Sequence, residues 1–349
     1  MIRSFKACVA GMALLLLAGG CVAPAPTGDD AVARASLVWP KPPATPRIRY
    51  LQSVSGAQDW GIERSWLRRL ADVLTGTGAE QFVRPSAVAE ADGVLYVADP
   101  GARSLWILDR PRNRATRLTQ IGNEPLVSPV ALALRADGAV FVADTALKKI
   151  FLLDRDGALI RTITSQALER PAGLAWDEGA RRLYVIDSVR HRITVFDVDG
   201  AFVRHIGEVG QGDGQFNHPT HIALDAGGAL LVTDTLNFRL QTMSRDGRFI
   251  RKFGHAGNGA GDFAAPKGVA VDADAHYYVV DALFDAVQIF DKMGQLLLGF
   301  GEHGEHPGQF TLPRGIFIST EDKVYVADAY NHRVQVFQGA VATGKEQIK

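Results

Sequence analysis

At 349 residues the chain has room for one large domain or two ordinary ones, and 47% hydrophobic residues with a mean hydropathy of +0.01 suit a folded body with a sizeable core. Lysine plus arginine equals aspartate plus glutamate at 38 each, so no basic excess points to nucleic acid and no acidic run to a solvating tail. The 36 glycines announce many turns.

In chain order, the first element is a leader. Arg3 and Lys6 precede an almost wholly apolar run over residues 7–17, too short to span a bilayer, which reads as a secretory signal. The run closes on Leu17, Ala18, Gly19, Gly20 and Cys21. Small residues ending in cysteine resemble a lipobox. That resemblance implies removal of residues 1–20, acylation of Cys21, and attachment to a membrane through the lipid. Val22 resembles the residue that follows the cysteine in Gram-negative lipoproteins of the outer membrane, on its periplasmic or surface side. The alternative is an ordinary signal peptide with an incidental cysteine. Cys8 and Cys21 are the two cysteines, so a processed body would hold no disulfide. Residues 21–46 place Pro24, Pro26, Pro40, Pro42, Pro43 and Pro46 among alanines, which reads as an extended tether whose end near the folded body can pack on its surface.

Arg47 to Val54 reads as a strand with no immediate partner. Beyond it, Ile62, Trp66, Leu67, Leu70, Val73 and Leu74 fall at helical spacing with Arg64, Arg68, Arg69 and Asp72 between them. This predicts a short amphipathic helix over about 59–76. It is either a cap on the main body or a docking element for a partner or membrane surface.

The remainder is a repeat. The segments Tyr96–Asp99, Phe141–Asp144, Tyr184–Asp187, Leu231–Asp234, Tyr278–Asp281 and Tyr325–Asp328 recur with aspartate spacings of 45, 43, 47, 47 and 47. Pro85, Pro129, Pro171, Pro219, Pro266 and Pro313 keep step upstream, so two independent markers count six units. Each unit reads as four short strands with Asp-Gly-type turns, such as Asp156-Gly157 and Asp199-Gly200. In the fifth unit these are 268–272, 277–280, 287–290 and 295–300. One such sheet cannot bury both faces. Six in a ring can, which predicts an all-β, six-bladed β-propeller over residues 47–338. The sixth unit stops after its third strand at Phe337, leaving 339–349 as a tail. Residues 47–54 are predicted to supply the missing outer strand and close the ring.

Phe310 to Gly315 followed by Tyr325 to Phe337, and Gly212 to Pro219 followed by Asp234 to Leu240, resemble NHL repeats. The resemblance is specific in the last four units and weaker in the first two. It implies a binding or scaffolding propeller, with a minority of enzymes among related folds. The related peptidyl-hydroxyglycine lyases hold zinc with several channel histidines; this chain offers one histidine at such a position. The glycine-rich stretches 207–214, 254–261 and 301–308 recur before each later blade, so they read as blade connectors rather than phosphate loops.

Two sets of residues carry the functional expectations. Asp99, Asp144, Asp187, Asp234, Asp281 and Asp328 are expected to be structural, satisfied by backbone bonds or by a basic partner such as Lys149, Arg192, Arg239 or Arg333. Asp281 lacks that partner, because Ala286 stands at the basic position. Two residues past each proline stand Ala87, Ala131, Gly173, His221, Gly268 and Gly315, small except for His221. Small residues suit strands crowding a central axis. His218, His221, Lys267 and Arg314 are therefore the candidate binding residues, forming a mildly positive channel mouth for a small anion or an acidic peptide tip. The plainer alternative is a solvated entrance. No catalytic residue and no metal ligand set is assigned. No cofactor is expected, with a divalent zinc or calcium as the minor alternative. The expectation is a lipid-anchored envelope module that binds an envelope protein or peptide and no nucleic acid. The alternative is a metal-assisted lyase or lactone hydrolase working in the axial channel.

Overall fold

Strands rich in β-branched and aromatic residues, folded back at short intervals by turns that tolerate positive φ, form antiparallel meanders. The structure, a computed structural model, describes residues 37–63 and 80–339. The leader, Cys21, most of the tether, residues 64–76 of the expected helix and residues 340–349 lie outside the described residues. Residues 59–63 form turn and irregular chain rather than helix, and they bury Trp60 and Ile62.

Six sheets follow one another in sequence, and the fifth shows the plan. Its strands are Pro266–Val271, Tyr277–Asp281, Ala286–Phe290 and Leu296–Phe300, paired in that order. The hairpin between the last two turns on Gly294 at φ +85°, where a Cβ would lie 2.6 Å from the Phe253 side chain of blade four. The glycine thus supplies both the turn and the close blade contact.

The buried apolar residues fall into six clusters, each spanning two neighbouring blades. Phe141, Ile150 and Leu152 of blade two, for example, pack on Leu174, Trp176 and Val185 of blade three. Blades six and one meet through Tyr325, Val334 and Val336 against Val88, Leu95 and Trp106. Each large buried side chain contributes roughly 1.5–3 kcal/mol, so the ring is held by its blade interfaces rather than by any central core.

Closure follows the sequence expectation. Ile48–Val54 pairs antiparallel with Arg333–Gly339, from Ile48 opposite Gly339 to Val54 opposite Val334. The body also starts earlier than residue 47. Val38–Trp39 adds a fifth strand outside Ile48–Val54, and the Trp39 ring sits 5.8 Å from Phe300 and 5.9 Å from Phe337. A tryptophan next to two buried phenylalanines gains too much burial to stay in a solvated tether.

The inner strands line the axis and come very close at their starts. The Gly268 N–H donates to Arg314 O of the next blade at 2.9 Å. A Cβ on Gly173, Gly268 or Gly315 would stand 2.7, 2.4 or 2.5 Å from the neighbouring backbone oxygen of Thr220, Arg314 or Ser86. This is why small residues occupy these positions, and it fixes the frame around His221.

Candidate functional site at the mouth of the axial channel

The six aspartates are fully buried, each at the end of its second strand. Each clamps the loop entering its own blade. Asp99 accepts from the Val83, Arg84 and Ala102 amides; Asp144 from Val127, Ser128, Ala146 and Leu147; Asp187 from Glu169, Arg170 and Arg190. Asp234 and Asp328 each take one backbone amide, one guanidinium, from Arg239 or Arg333 at 2.8 Å, and the side-chain amides of Asn237 and Gln241 or of Asn331 and Gln335. The basic partner therefore operates in blades four and six. Lys149 turns to Glu124 instead, and Arg192 to the Ala167 carbonyl. Asp281 needs no basic residue, because the Ala264, Ala265, Leu283 and Phe284 amides satisfy it. All six are spent on backbone and neighbouring side chains, so they form no open ring of carboxylates.

The axis encloses a cavity of about 270 Å³ walled by apolar residues such as Val88, Leu132, Leu174, Trp176 and Phe317. His221 is the single ionisable side chain in that wall. A short relay fixes its tautomer. Thr235 Oγ1 donates to the Pro266 carbonyl at 2.9 Å, which spends its one proton. The 2.7 Å contact between Thr220 and Thr235 then requires Thr220 to donate. Thr220 in turn can only accept from His221 Nδ1, 3.1 Å away. His221 is thus protonated on Nδ1, and its Nε2 lone pair has no hydrogen-bond partner among the described residues. Burial holds the ring far below the usual imidazole range, at about 3, with Lys267 and Arg314 adding charge repulsion. The ring is neutral at physiological pH.

Lys267 and Arg314 stand one residue past Pro266 and Pro313, half-buried where the strands converge. Burial lowers the pKa of Lys267, with Arg314 second. Burial also lowers Arg314, and Arg84, whose guanidinium lies 5.6 Å from the Tyr330 ring, acts in the same direction. Neither Lys267 nor Arg314 makes a salt bridge or a side-chain hydrogen bond among the described residues. Asp281 favours the Lys267 charge from a distance, but two half-buried cations without a hydrogen-bonded partner are costly, and a bound anion is what would relieve them.

His218 does not join this group. Its N–H donates to His191 Nδ1 at 3.0 Å, the two rings meet edge to face at 4.4 Å, and His218 Nδ1 contacts Asn217 Oδ1. Its ring therefore packs on blade three rather than beside His221. The mouth therefore consists of His221, Lys267 and Arg314, with Thr220, Thr235 and Arg84 as residues that sequence reading missed. Thr220 had a signal, since it follows Pro219 at the position that Lys267 and Arg314 occupy in their blades. Thr235 had none.

A divalent metal does not fit this donor set. Zinc needs three or four nitrogen, sulfur or carboxylate ligands, and calcium more oxygens. The wall offers one imidazole beside two cations. Among the described residues no group of three or more His, Cys, Asp and Glu is placed to hold a metal.

Two family models match the chain: the SMP-30/Gluconolactonase/LRE-like region over residues 73–255 and the NHL repeat over residues 310–337. No curated protein matches it. Among solved structures, virginiamycin B lyase from Staphylococcus aureus is 16% identical, covers 75% of this chain and 97% of its own, and superposes with a TM-score of 0.57. A gluconolactonase from Xanthomonas campestris is 17% identical over 74% of this chain and 87% of its own, with a TM-score of 0.58. A chain of a nidogen–laminin complex is 20% identical over 72% and 89%, with a TM-score of 0.54. These likenesses establish a shared fold, which is found in a lyase, a gluconolactonase and a nidogen–laminin complex alike.

Proposed function

The chain belongs to the SMP-30/gluconolactonase/LRE-like family of β-propellers, and on that premise we propose that it is a binding module of the cell envelope whose channel mouth takes an anionic group. One observation carries the reading: Lys267 and Arg314 lie half-buried and unpaired beside a neutral imidazole. The ligand supplies a carboxylate or phosphate to the two cations and an N–H or O–H donor to His221 Nε2. Calorimetric titration of the full chain with citrate and with inorganic phosphate tests this. Saturable binding, at least tenfold weaker in Lys267→Met/Arg314→Met, is expected; equal binding by the double variant overturns it.

The lipobox-like run before Cys21 supports anchoring of this module by lipid, with the proline-rich stretch as its tether. Mass spectrometry of the exported protein should find an acylated Cys21. An unmodified Cys21, or membrane retention that survives Cys21→Ser, sinks that part.

A second reading is an enzyme in the same channel, since a lyase and a gluconolactonase are among the structural relatives. The Nε2 lone pair would accept a hydrogen bond that orients a substrate, its low basicity disfavouring proton abstraction, while the two cations would stabilise a developing oxyanion. Turnover of gluconolactone or virginiamycin B that disappears in His221→Ala would establish it. Absence of turnover alongside citrate or phosphate binding would leave the binding module.

A further inference from the structure

The face that carries the channel mouth also carries a regular apolar pattern. Large hydrophobic side chains stand in solvent at Val83 (44% exposed), Val127 (40%), Val189 (43%), Leu236 (48%), Leu283 (63%) and Tyr330 (46%). There is one per blade, in order round the ring. All six belong to the segments that the buried aspartates clamp, so they sit at the same end of the propeller. Val83 and Val127 donate their amides to Asp99 and Asp144, and Leu283 donates to Asp281. The Leu236 and Tyr330 amides donate to the entering loops at Asn217 O and Thr311 O. Val189 lies between Asp187 and Arg190, whose amide Asp187 accepts.

Exposed apolar residues scattered singly need no explanation. One per blade round a single opening, four of them two residues past the strand-two aspartate and two of them two residues before the blade proline, does. Nothing in their local packing requires them, since the clamps use backbone amides and any side chain would serve. The frame is rigid, so a partner meets them without an ordering cost on this side. Their centre is positive, with Lys267, Arg314 and the exposed Arg84. The chain's own 64–79 segment is apolar, but it brings Arg64, Arg68 and Arg69, the wrong sign for that centre.

We infer that this face is a docking surface for a polypeptide segment of another protein, one that sets an acidic residue or a terminal carboxylate over the cationic mouth and apolar side chains on the surrounding ring. The inference rests on the anion-binding reading of the mouth and adds the partner class. The ring supplies the affinity through buried apolar contact, and the mouth supplies register and the preference for acid.

Fluorescence anisotropy with two labelled synthetic dodecapeptides tests it on the full chain. Both carry the same leucines and phenylalanines; one has a central Asp-Glu pair and the other a central Lys-Lys pair. The acidic peptide should bind at least tenfold tighter than the basic one. Val189→Ser/Leu236→Ser/Leu283→Ser should weaken it at least tenfold while leaving citrate or phosphate binding unchanged, which also shows that the triple variant folds. Lys267→Met/Arg314→Met should erase the preference for acid. Equal binding of the two peptides, or full affinity in the triple variant, overturns the docking surface. Citrate or phosphate binding without any peptide binding overturns the surface alone. Failure of both probes overturns the surface and the anion-binding mouth together. Tighter binding of the basic peptide would assign the face to an acid-repelling role and equally sink the inference.

Discussion

The two faces of the propeller solve the same problem, how to turn a chain between strands, with opposite chemistry. On the face away from the mouth, Asp-Gly-type turns carry charges that pair with neighbours: Asp156 with Arg112 and Arg114, Asp92 with Arg155, Asp199 with Arg161, and Asp246 with Arg248. Most of these partners are well exposed, so each pair is weak and replaceable. On the mouth face the six repeated carboxylates are buried and satisfied mainly by backbone amides, which leaves side chains beside them free to be apolar and leaves Lys267 and Arg314 without a salt bridge. Burying the structural charge of one face is what allows that face to offer an unsatisfied one to a ligand.

That contrast is easiest to break by removing one carboxylate from each side. Asp234→Ala leaves Arg239 buried without its counter-charge, held only by the Gln211, Gly212 and Gln215 carbonyls, and strips the Asn217 amide of its acceptor. It should cost about 3–5 kcal/mol in chemical denaturation. Asp156→Ala, on the opposite face, should cost about 0–1 kcal/mol. Comparable losses would mean that the clamps are not what organises the mouth face.

Gly315→Ala sharpens the comparison at the axis. Its Cβ would stand 2.5 Å from Ser86 O, and the neighbouring strand is backbone that cannot rotate away. A loss of about 1–3 kcal/mol is expected, together with weaker binding at the mouth, because Arg314 sits next to the displaced residue. Unchanged stability would show that the inner strands have room to spare.

The pH dependence should also be one-sided. An unfolded histidine takes a proton near its ordinary value of 6.5, whereas folded His221 resists one down to about 3. The unfolded chain therefore binds more protons in that window. Stability is intact above about pH 6.5 and falls as pH drops towards 3, by on the order of 2 kcal/mol at pH 4 after allowing for partial solvent contact. His221→Gln should flatten the curve between pH 6.5 and 4. The same slope in the variant would remove His221 from the account.

The smallest expected effect has the opposite sign. Lys267→Met/Arg314→Met removes two unpaired, desolvated cations and should raise stability by about 1 kcal/mol while abolishing anion binding. A loss of stability would mean that the cations are paired in solution and that the mouth is structural.

The blade count, the four-strand plan and the closing strand were legible in the sequence, because Asp99 to Asp328 and Pro85 to Pro313 repeat at the spacing of a unit that is itself local. The inner-strand starts were legible too, since crowding at an axis selects for small residues and makes His221 stand out. His218 stands apart because proximity in sequence to His221 does not reveal its ring contact with His191 of the neighbouring blade. For Lys149 and Arg192 the sequence left backbone bonds or a basic partner open, and in blades two and three backbone amides satisfy the aspartate while the basic side chain turns elsewhere. The apolar ring was invisible because its six members differ in type and come from two different loops, so only the folded face aligns them.

The strand at residues 48–54 is made first and used last. Its partner, Arg333–Gly339, lies almost the whole length of the propeller away, and the entropy of closing that span must be met in a single step. Until Arg333–Gly339 emerges, the strand has only the two-residue Val38–Trp39 beside it, and the facing sides of blades six and one are bare. A growing or truncated chain is therefore an open crescent with two adhesive ends. The hazard it presents is end-to-end chaining with another crescent, which completion of the last strand forecloses.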